Sequence, residues 1–274
     1  MNRDNPLFRN RFPRSNHYDP NWVMDNQMGP NVLWLTEWLT EMMEIKPDER
    51  VLDLGCGKAI SSIFLAKEFD ARVWAVDLWV SAQDNLKRIE KAGLSNSICP
   101  VHAEAHSLPF AEQYFHTMVS LDAYTYFGTD DLYLSYITRF LMPGGRLGVV
   151  MPAVKKELEG EVPEHLTRPQ KNGDVFWSED CICFHTAEWW KSHWEKSGRV
   201  KNVDAEYMPE GWELWRDFED EIEKAGKNLF PSVAETLDRD RGEYIGFVGL
   251  TAERAEISDF NLYDPALMGK VERA

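Results

Sequence analysis

Basic residues are in short supply in this chain: 30 Lys and Arg stand against 46 Asp and Glu, for a net charge of -16. Such a surface repels phosphate backbones and anionic headgroups, so neither a nucleic acid nor a membrane is an expected partner. Long apolar runs are missing as well. No stretch of about 18 apolar residues occurs, and Arg3, Arg9, Arg11 and Arg14 are followed by no apolar core of signal-peptide length. Cysteines number four, at 56, 99, 181 and 183, in neither a zinc-finger spacing nor an extracellular framework. These absences lead to the expectation of a soluble cytoplasmic protein with reduced thiols. Internal repeats and low-complexity tracts are absent too.

What is present is organised around Val51-Leu52-Asp53-Leu54-Gly55-Cys56-Gly57, a short apolar run that breaks at two glycines and opens into a helical pattern. It reads as the first strand of an open α/β sheet with a ligand-holding turn at its carboxyl end. A dinucleotide fingerprint wants a third glycine three residues after the second. Position 60 is Ile60, which disfavours a pyrophosphate site and with it a nicotinamide-dependent dehydrogenase. Asp53, two residues before the first glycine, would favour a cationic ligand. A second apolar run, Arg72 to Asp77, ends in an acid at the distance where a carboxylate meets ribose hydroxyls in doubly wound sheets.

Two more stretches complete the pattern: Ala103-Glu104-Ala105-His106-Ser107-Leu108-Pro109-Phe110, and Leu141-Met142-Pro143-Gly144-Gly145-Arg146-Leu147. In this order the landmarks resemble the class I S-adenosylmethionine-dependent methyltransferases of the small-molecule type. The resemblance rests on specific motifs over about residues 45 to 150 and on pattern alone from 186 to 252. It implies S-adenosylmethionine as cofactor and a small-molecule acceptor. Asp53, Gly55, Cys56 and Gly57 would contact the methionine part, Asp77 and Leu78 the ribose and adenine, and Glu104 and Ala105 the adenine edge. Ser120 would back the methionine moiety. Glu104 stands where the family more often has Asp. Lys58 also departs from the family pattern, placing a positive charge beside a cationic cofactor.

Alternating strands and helices predict a Rossmann-like, doubly wound sheet of seven mostly parallel strands with helices on both faces. Strands are expected at 51–54, 72–77, 98–103, 117–121, 146–151, 200–207 and 244–250, the last antiparallel as in the family's sheets. A helix from about Asp130 to Leu141 is expected, capped by Thr129 or Asp130, and another starts at Thr186. Residues 1–45 read as an extended arm, whose Phe8, Phe12, Tyr18 and Trp22 imply packing on its own domain or on a bound ligand, and a helix, which covers either the pocket or the sheet. The domain proper would be 46–252, with irregular insertions at about 152–185 and 209–242, and 253–274 as a tail. The arm, residues 152–185 and a helix near 212–226 would form a lid, so that removing residues 1–30 should impair turnover more than cofactor affinity.

Methyl transfer needs a base only when the acceptor must first lose a proton. Asp122 and Tyr124 follow the fourth strand, where they should face the methyl group, and His185 is a further base candidate. If extended, Cys181, Cys183 and His185 would share one face with ligand types that suit zinc or a soft metalloid. Three closely spaced ligands also fit ordinary packing, and no metal site is assigned. An RNA or protein methyltransferase, and a non-catalytic cofactor-binding module acting through its Trp-rich helices and acidic face, stay open as alternatives.

Overall fold

The computed structural model describes residues 5–158 and 160–256; most of the expected tail, with Phe260, Leu262, Tyr263 and Leu267, lies outside the described residues. In chain order the elements are α1 (Pro20–Asn26), α2 (Val32–Met42), β1 (Arg50–Leu54), α3 (Ile60–Phe69), β2 (Arg72–Asp77), α4 (Ala82–Lys91), β3 (Ile98–His102) and β4 (Phe115–Leu121). Then come α5 (Tyr133–Ile137), β5 (Leu141–Val154), α6 (Glu164–Thr167), α7 (Ala187–Lys196), β6 (Val200–Tyr207), α8 (Gly211–Ala225), α9 (Ala234–Asp240) and β7 (Ile245–Arg254). The strands form one sheet in the order β3-β2-β1-β4-β5-β7-β6. β1 to β5 run parallel, and β7 pairs antiparallel with both β5 and β6. Among the described residues, no helix is long and apolar enough to cross a membrane.

Alternation along the strands feeds two cores. Val51, Val73, Ala75 and Val119 belong to a cluster with α2, α3 and α8, while Leu52, Leu54, Val76 and Met118 join one with α5 and α7. Helix starts follow local chemistry: the Asn31 side chain accepts from Leu33 N, Ser81 from Asp84 N, and Thr186 from Trp189 N. The Pro143-Gly144-Gly145 turn appears as a bulge at the beginning of β5, where Phe115 pairs with Leu141 but Thr117 pairs with Arg146. β5 therefore begins earlier than the expected Arg146.

Three expectations change. The arm is not extended: it makes a 3-10 turn at Ser15–His17 and then α1. Of the two packings expected for its aromatics, the one on its own domain is found, with Phe12 fully buried and stacked on Trp34 at 6.0 Å. The buried carboxylate of Glu37 accepts from Arg14 N at 2.9 Å, Ser15 N at 2.8 Å and Ser15 Oγ at 2.6 Å. Deleting residues 1–30 would strip these partners from α2, so the truncation reports on folding before it reports on turnover. The helix over 130–141 is shorter, because Asp130 Oδ1 accepts from Leu132 N in a local turn and α5 gives way to a 3-10 turn at Thr138–Phe140. Residues 152–185 are not irregular throughout. β5 continues to Val154, Leu166 on α6 is fully buried, and Phe176 packs edge-on against Trp215 at 6.1 Å.

Helix α2 lies on the sheet and only Val32 reaches the cavity described below. The sheet admits it closely at glycine: a Cβ on Gly249 would lie 2.7 Å from Met42 Sδ and 2.9 Å from the Trp38 ring. Gly249→Val is expected to cost about 1–3 kcal/mol by overpacking. Urea denaturation measures it, and an unchanged midpoint would mean that α2 can lift without loss.

Candidate active site

At the carboxyl ends of β1, β2 and β4, where the strand order reverses between β1 and β4, a cavity of about 320 Å³ opens. Its floor is the turn after β1. Gly55 and Gly57 take φ of 75° and 52°, a region costly for a side chain. Space forbids one as well, since a Cβ on Gly55 would lie 2.4 Å from Ala123 Cβ. Gly55 N and Cys56 N donate to Val76 O at 2.9 and 3.0 Å, which ties the turn to β2.

Asp77, at the end of β2, organises the next loop as well. Its Oδ2 accepts from Gly57 N, and its Oδ1 from Trp79 N and Val80 N, each at 2.8 Å. Leu78 and Trp79 form an exposed apolar rim, 52% and 74% exposed, and Ala105 and Glu104 continue the wall. The Glu104 carboxylate accepts from His106 N at 2.9 Å and faces His106 Nδ1 at 2.7 Å. Cys56 also lines the cavity, and burial together with Asp53 and Asp77 keeps its thiol protonated.

Asp122 follows β4 with φ of 59°, and its N–H donates to Val150 O at 2.7 Å. Its carboxylate lines the cavity beside the arm: a Cβ on Gly29 would lie 2.4 Å from Oδ2. Burial, with the carboxylate of Glu219 on α8 adding to it, pushes Asp122 up to about 8. Glu219 is itself pushed up to about 7 by burial, although it accepts from Trp215 Nε1 at 3.2 Å. The cavity thus gathers Asp77, Glu104 and Asp122.

Lys58, the anomalous cation, lines the same cavity but is tied to the arm. Its ammonium donates to the carbonyls of Asp25 and Gln27 at 3.2 and 3.5 Å, at the end of α1, and so latches the arm over the turn. Burial, then Arg88, lower its pKa, while Asp25 opposes them. Lys58→Ala should speed amide exchange over residues 20–30 about 2–10-fold, for a net hydrogen bond worth about 0.5–1.5 kcal/mol. Unchanged exchange would show the latch to be idle.

The structure moves four expected site residues out of the cavity. Asp53 is fully buried beneath the turn, where its Oδ2 accepts from Ser61 Oγ and Ser62 Oγ at 2.6 Å each. Burial pushes it up to about 6 against the pull of those hydroxyls. Ser120, also fully buried, donates to Leu54 O at 2.7 Å and so braces β1. Tyr124 points down from the 3-10 turn at Tyr124–Tyr126 into Trp190 and Trp194, with ring centroids at 5.9 and 5.6 Å, and burial drives its phenol pKa up. Tyr126, two residues on, faces the cavity instead. His185 stacks on Trp189 at 3.7 Å and faces Glu157 at 3.4 Å outside the cavity; burial lowers its pKa against that carboxylate. Cys181 and Cys183 lie in a 3-10 turn at Glu179–Cys183, so the alternation that would align them with His185 does not apply.

The expected lid included the arm without singling out residues in it; Asn26, Met28, Gly29 and Pro30 are those that line the cavity. Gly29-Pro30, a turn dipeptide just before the helical pattern that starts at Asn31, was the available signal. Among the described residues of the expected lid, this stretch lines the cavity, while Glu219 on α8 acts on it through the charge felt by Asp122.

Residues 51–145 match the family model described as a methyltransferase domain. Among curated proteins the chain is 26% identical over 160 residues to "Methyltransferase GfsG" from Streptomyces halstedii, covering 57% of this chain and 57% of that protein. Among solved structures, phosphoethanolamine N-methyltransferase 2 of Haemonchus contortus in complex with S-adenosyl-L-methionine is similar, with TM-score 0.67 and 19% identity. That likeness covers 91% of this chain and 59% of the other. The [4+2]-cyclase SpnF is similar over 84% of each chain, with TM-score 0.59 and 19% identity. At such identities the structural likeness shows the fold.

Proposed function

We propose that this chain, with a methyltransferase domain over residues 51–145, is an S-adenosylmethionine-dependent methyltransferase that acts on a small-molecule acceptor. The observation that carries the reading is the convergence of the glycine turn, Asp77 and Asp122 in one cavity at the switch point of the sheet. The residues fit the cofactor. Gly55 and Gly57 leave a cradle that a Cβ would fill. The Asp77 and Glu104 carboxylates suit a ligand carrying ammonium and sulfonium groups, and the Lys58 ammonium is taken up by the carbonyls of Asp25 and Gln27. In this reading Gly55, Cys56 and Gly57 hold the methionine part, Asp77 and Leu78 the ribose and adenine, and Glu104 and Ala105 the adenine edge. Asp53 and Ser120 act indirectly, by holding the turn in shape.

Bound, S-adenosylmethionine supplies an already activated methyl group. The chain's own task is alignment, which can be worth effective molarities of about 10^5 to 10^8 M. Asp122 is the group placed to accept a proton from the acceptor, with Tyr126 and the 28–30 stretch as walls. The excess of acids supports a small acceptor over a nucleic acid, and the free thiols support a cytoplasmic setting.

In a second reading, a non-catalytic module holds the cofactor in the same cavity without consuming it. Calorimetric titration with S-adenosylmethionine, S-adenosylhomocysteine and NAD tests the first step. Micromolar binding of both sulfur ligands and none of NAD is expected; binding of NAD alone would overturn the reading. Turnover then separates the two readings, since only a methyltransferase releases S-adenosylhomocysteine in proportion to methylated product.

A further inference from the structure

Behind the arm, on the far side of Asn26, lies a second cavity of about 500 Å³ between the start of α1 and the ends of α3 and α4. Lys67, Arg88 and Lys91 line it, together with His17. In a chain of net charge -16, three cations against the two carboxylates Asp19 and Glu68 make this concavity locally rich in positive charge. None of the three forms an ion pair among the described residues. Arg88 is held by neutral groups, donating from Nε to Asn26 Oδ1 at 3.0 Å and through a second nitrogen to Asn85 Oδ1 at 3.1 Å. The Lys67 ammonium stands 5.6 Å over the Tyr18 ring.

The two carboxylates on the same wall bond to groups other than these cations. Asp19 accepts from Asn21 N at 2.9 Å at the start of α1, and Glu68 takes the Tyr18 hydroxyl at 3.2 Å and Arg14 at 3.7 Å. Trp22, Ile63 and Ala92 add apolar surface between the cations. We propose that this cleft is a second binding site, for a small phosphorylated molecule whose phosphates sit among Lys67, Arg88 and Lys91 and whose body rests on Trp22. Phosphate suits the donors because the Arg88 guanidinium keeps N–H groups beyond the two bonded to Asn26 and Asn85, and it and the two lysine ammonium groups can each give phosphate oxygens charge-assisted bonds. The cleft is separate from the methyl-transfer cavity but shares Asn26 with it, so an occupant that draws on Arg88 acts directly on the arm's hold over the glycine turn.

The test is calorimetric titration of the full chain with pyrophosphate at low ionic strength, in the wild type and in the double variant Lys67→Ala, Lys91→Ala. Both lysines are exposed, so the variant is expected to fold, which its thermal midpoint checks. Saturable one-to-one binding that weakens at least tenfold in the double variant, with S-adenosylhomocysteine binding the same in both, is the expected result. Failure of pyrophosphate to bind, or equal binding by both proteins, would overturn the site and leave the cations as complements to the ends of α3 and α4. Affinity for single-stranded oligonucleotides that rises with their length, and exceeds that for pyrophosphate, would overturn the small-molecule assignment in favour of a polynucleotide. The outcome does not depend on whether the first cavity transfers methyl groups.

Discussion

Asp77→Ala is expected to weaken S-adenosylhomocysteine binding by more than tenfold while leaving a folded protein. The carboxylate has two tasks. Toward the chain it accepts from the N–H groups of Gly57, Trp79 and Val80, and so fixes the glycine turn and the rim against one another. Toward the cavity its remaining lone pairs are placed for ribose hydroxyls. Hydrogen bonds to a charged group are worth about 1.5–3 kcal/mol each, and they do not add when one side chain makes them all. A stability loss of about 2–4 kcal/mol is expected, readable in urea, together with the loss of affinity. Asp77→Asn keeps one acceptor oxygen and should recover part of the stability but less of the affinity, because the amide nitrogen cannot accept. Native affinity in a folded Asp77→Ala protein would remove the ribose role.

The strands and the turn chemistry were legible because they depend on local sequence. β6 falls on Val200–Tyr207 as expected, and the glycines at 55 and 57 take the backbone angles that their presence implied. Side-chain direction was the harder part. Asp53 looks cofactor-facing by motif, yet it shares a strand face with Val51, and that face meets α3. The adjacent Ser61 and Ser62 were the sequence sign that its partners lay in the helix. Tyr124 and Tyr126 look equivalent when the segment is read as extended. In a 3-10 turn, one is driven into the tryptophans of α7 and the other out to the cavity. In the arm the aromatics announced packing on the domain or on a ligand, but its turns did not show, because the contacts that shape it, Phe12 on Trp34 and Ser15 on Glu37, are tertiary and carry no periodicity.

Asp122→Asn carries the other large effect, and it should cut turnover while raising stability. An ordinary aspartate titrates near 3.8, and here burial and Glu219 push Asp122 up to about 8. Between those values the unfolded chain has released the proton that the folded chain keeps. The native state therefore binds more protons, and stability falls as pH rises from about 4 to 8. The carboxylate opens onto the cavity, so solvent screening reduces the effect to about 2 kcal/mol rather than the full shift. Asn does not titrate. The variant should gain on the wild type as pH rises, with thermal midpoints close at pH 4 and separated at pH 8. If Asp122 is the proton acceptor, turnover in the wild type rises with pH through a limb near 8, as the base form fills. The variant loses that limb and about 10^2- to 10^4-fold in rate, the usual worth of a positioned base. S-adenosylhomocysteine affinity measured on the same samples distinguishes a lost base from a lost cofactor contact. A stabilised variant with native turnover would leave Asp122 a buried acid held at the cavity wall, and would shift the search to acceptors whose attacking atom carries no proton to lose.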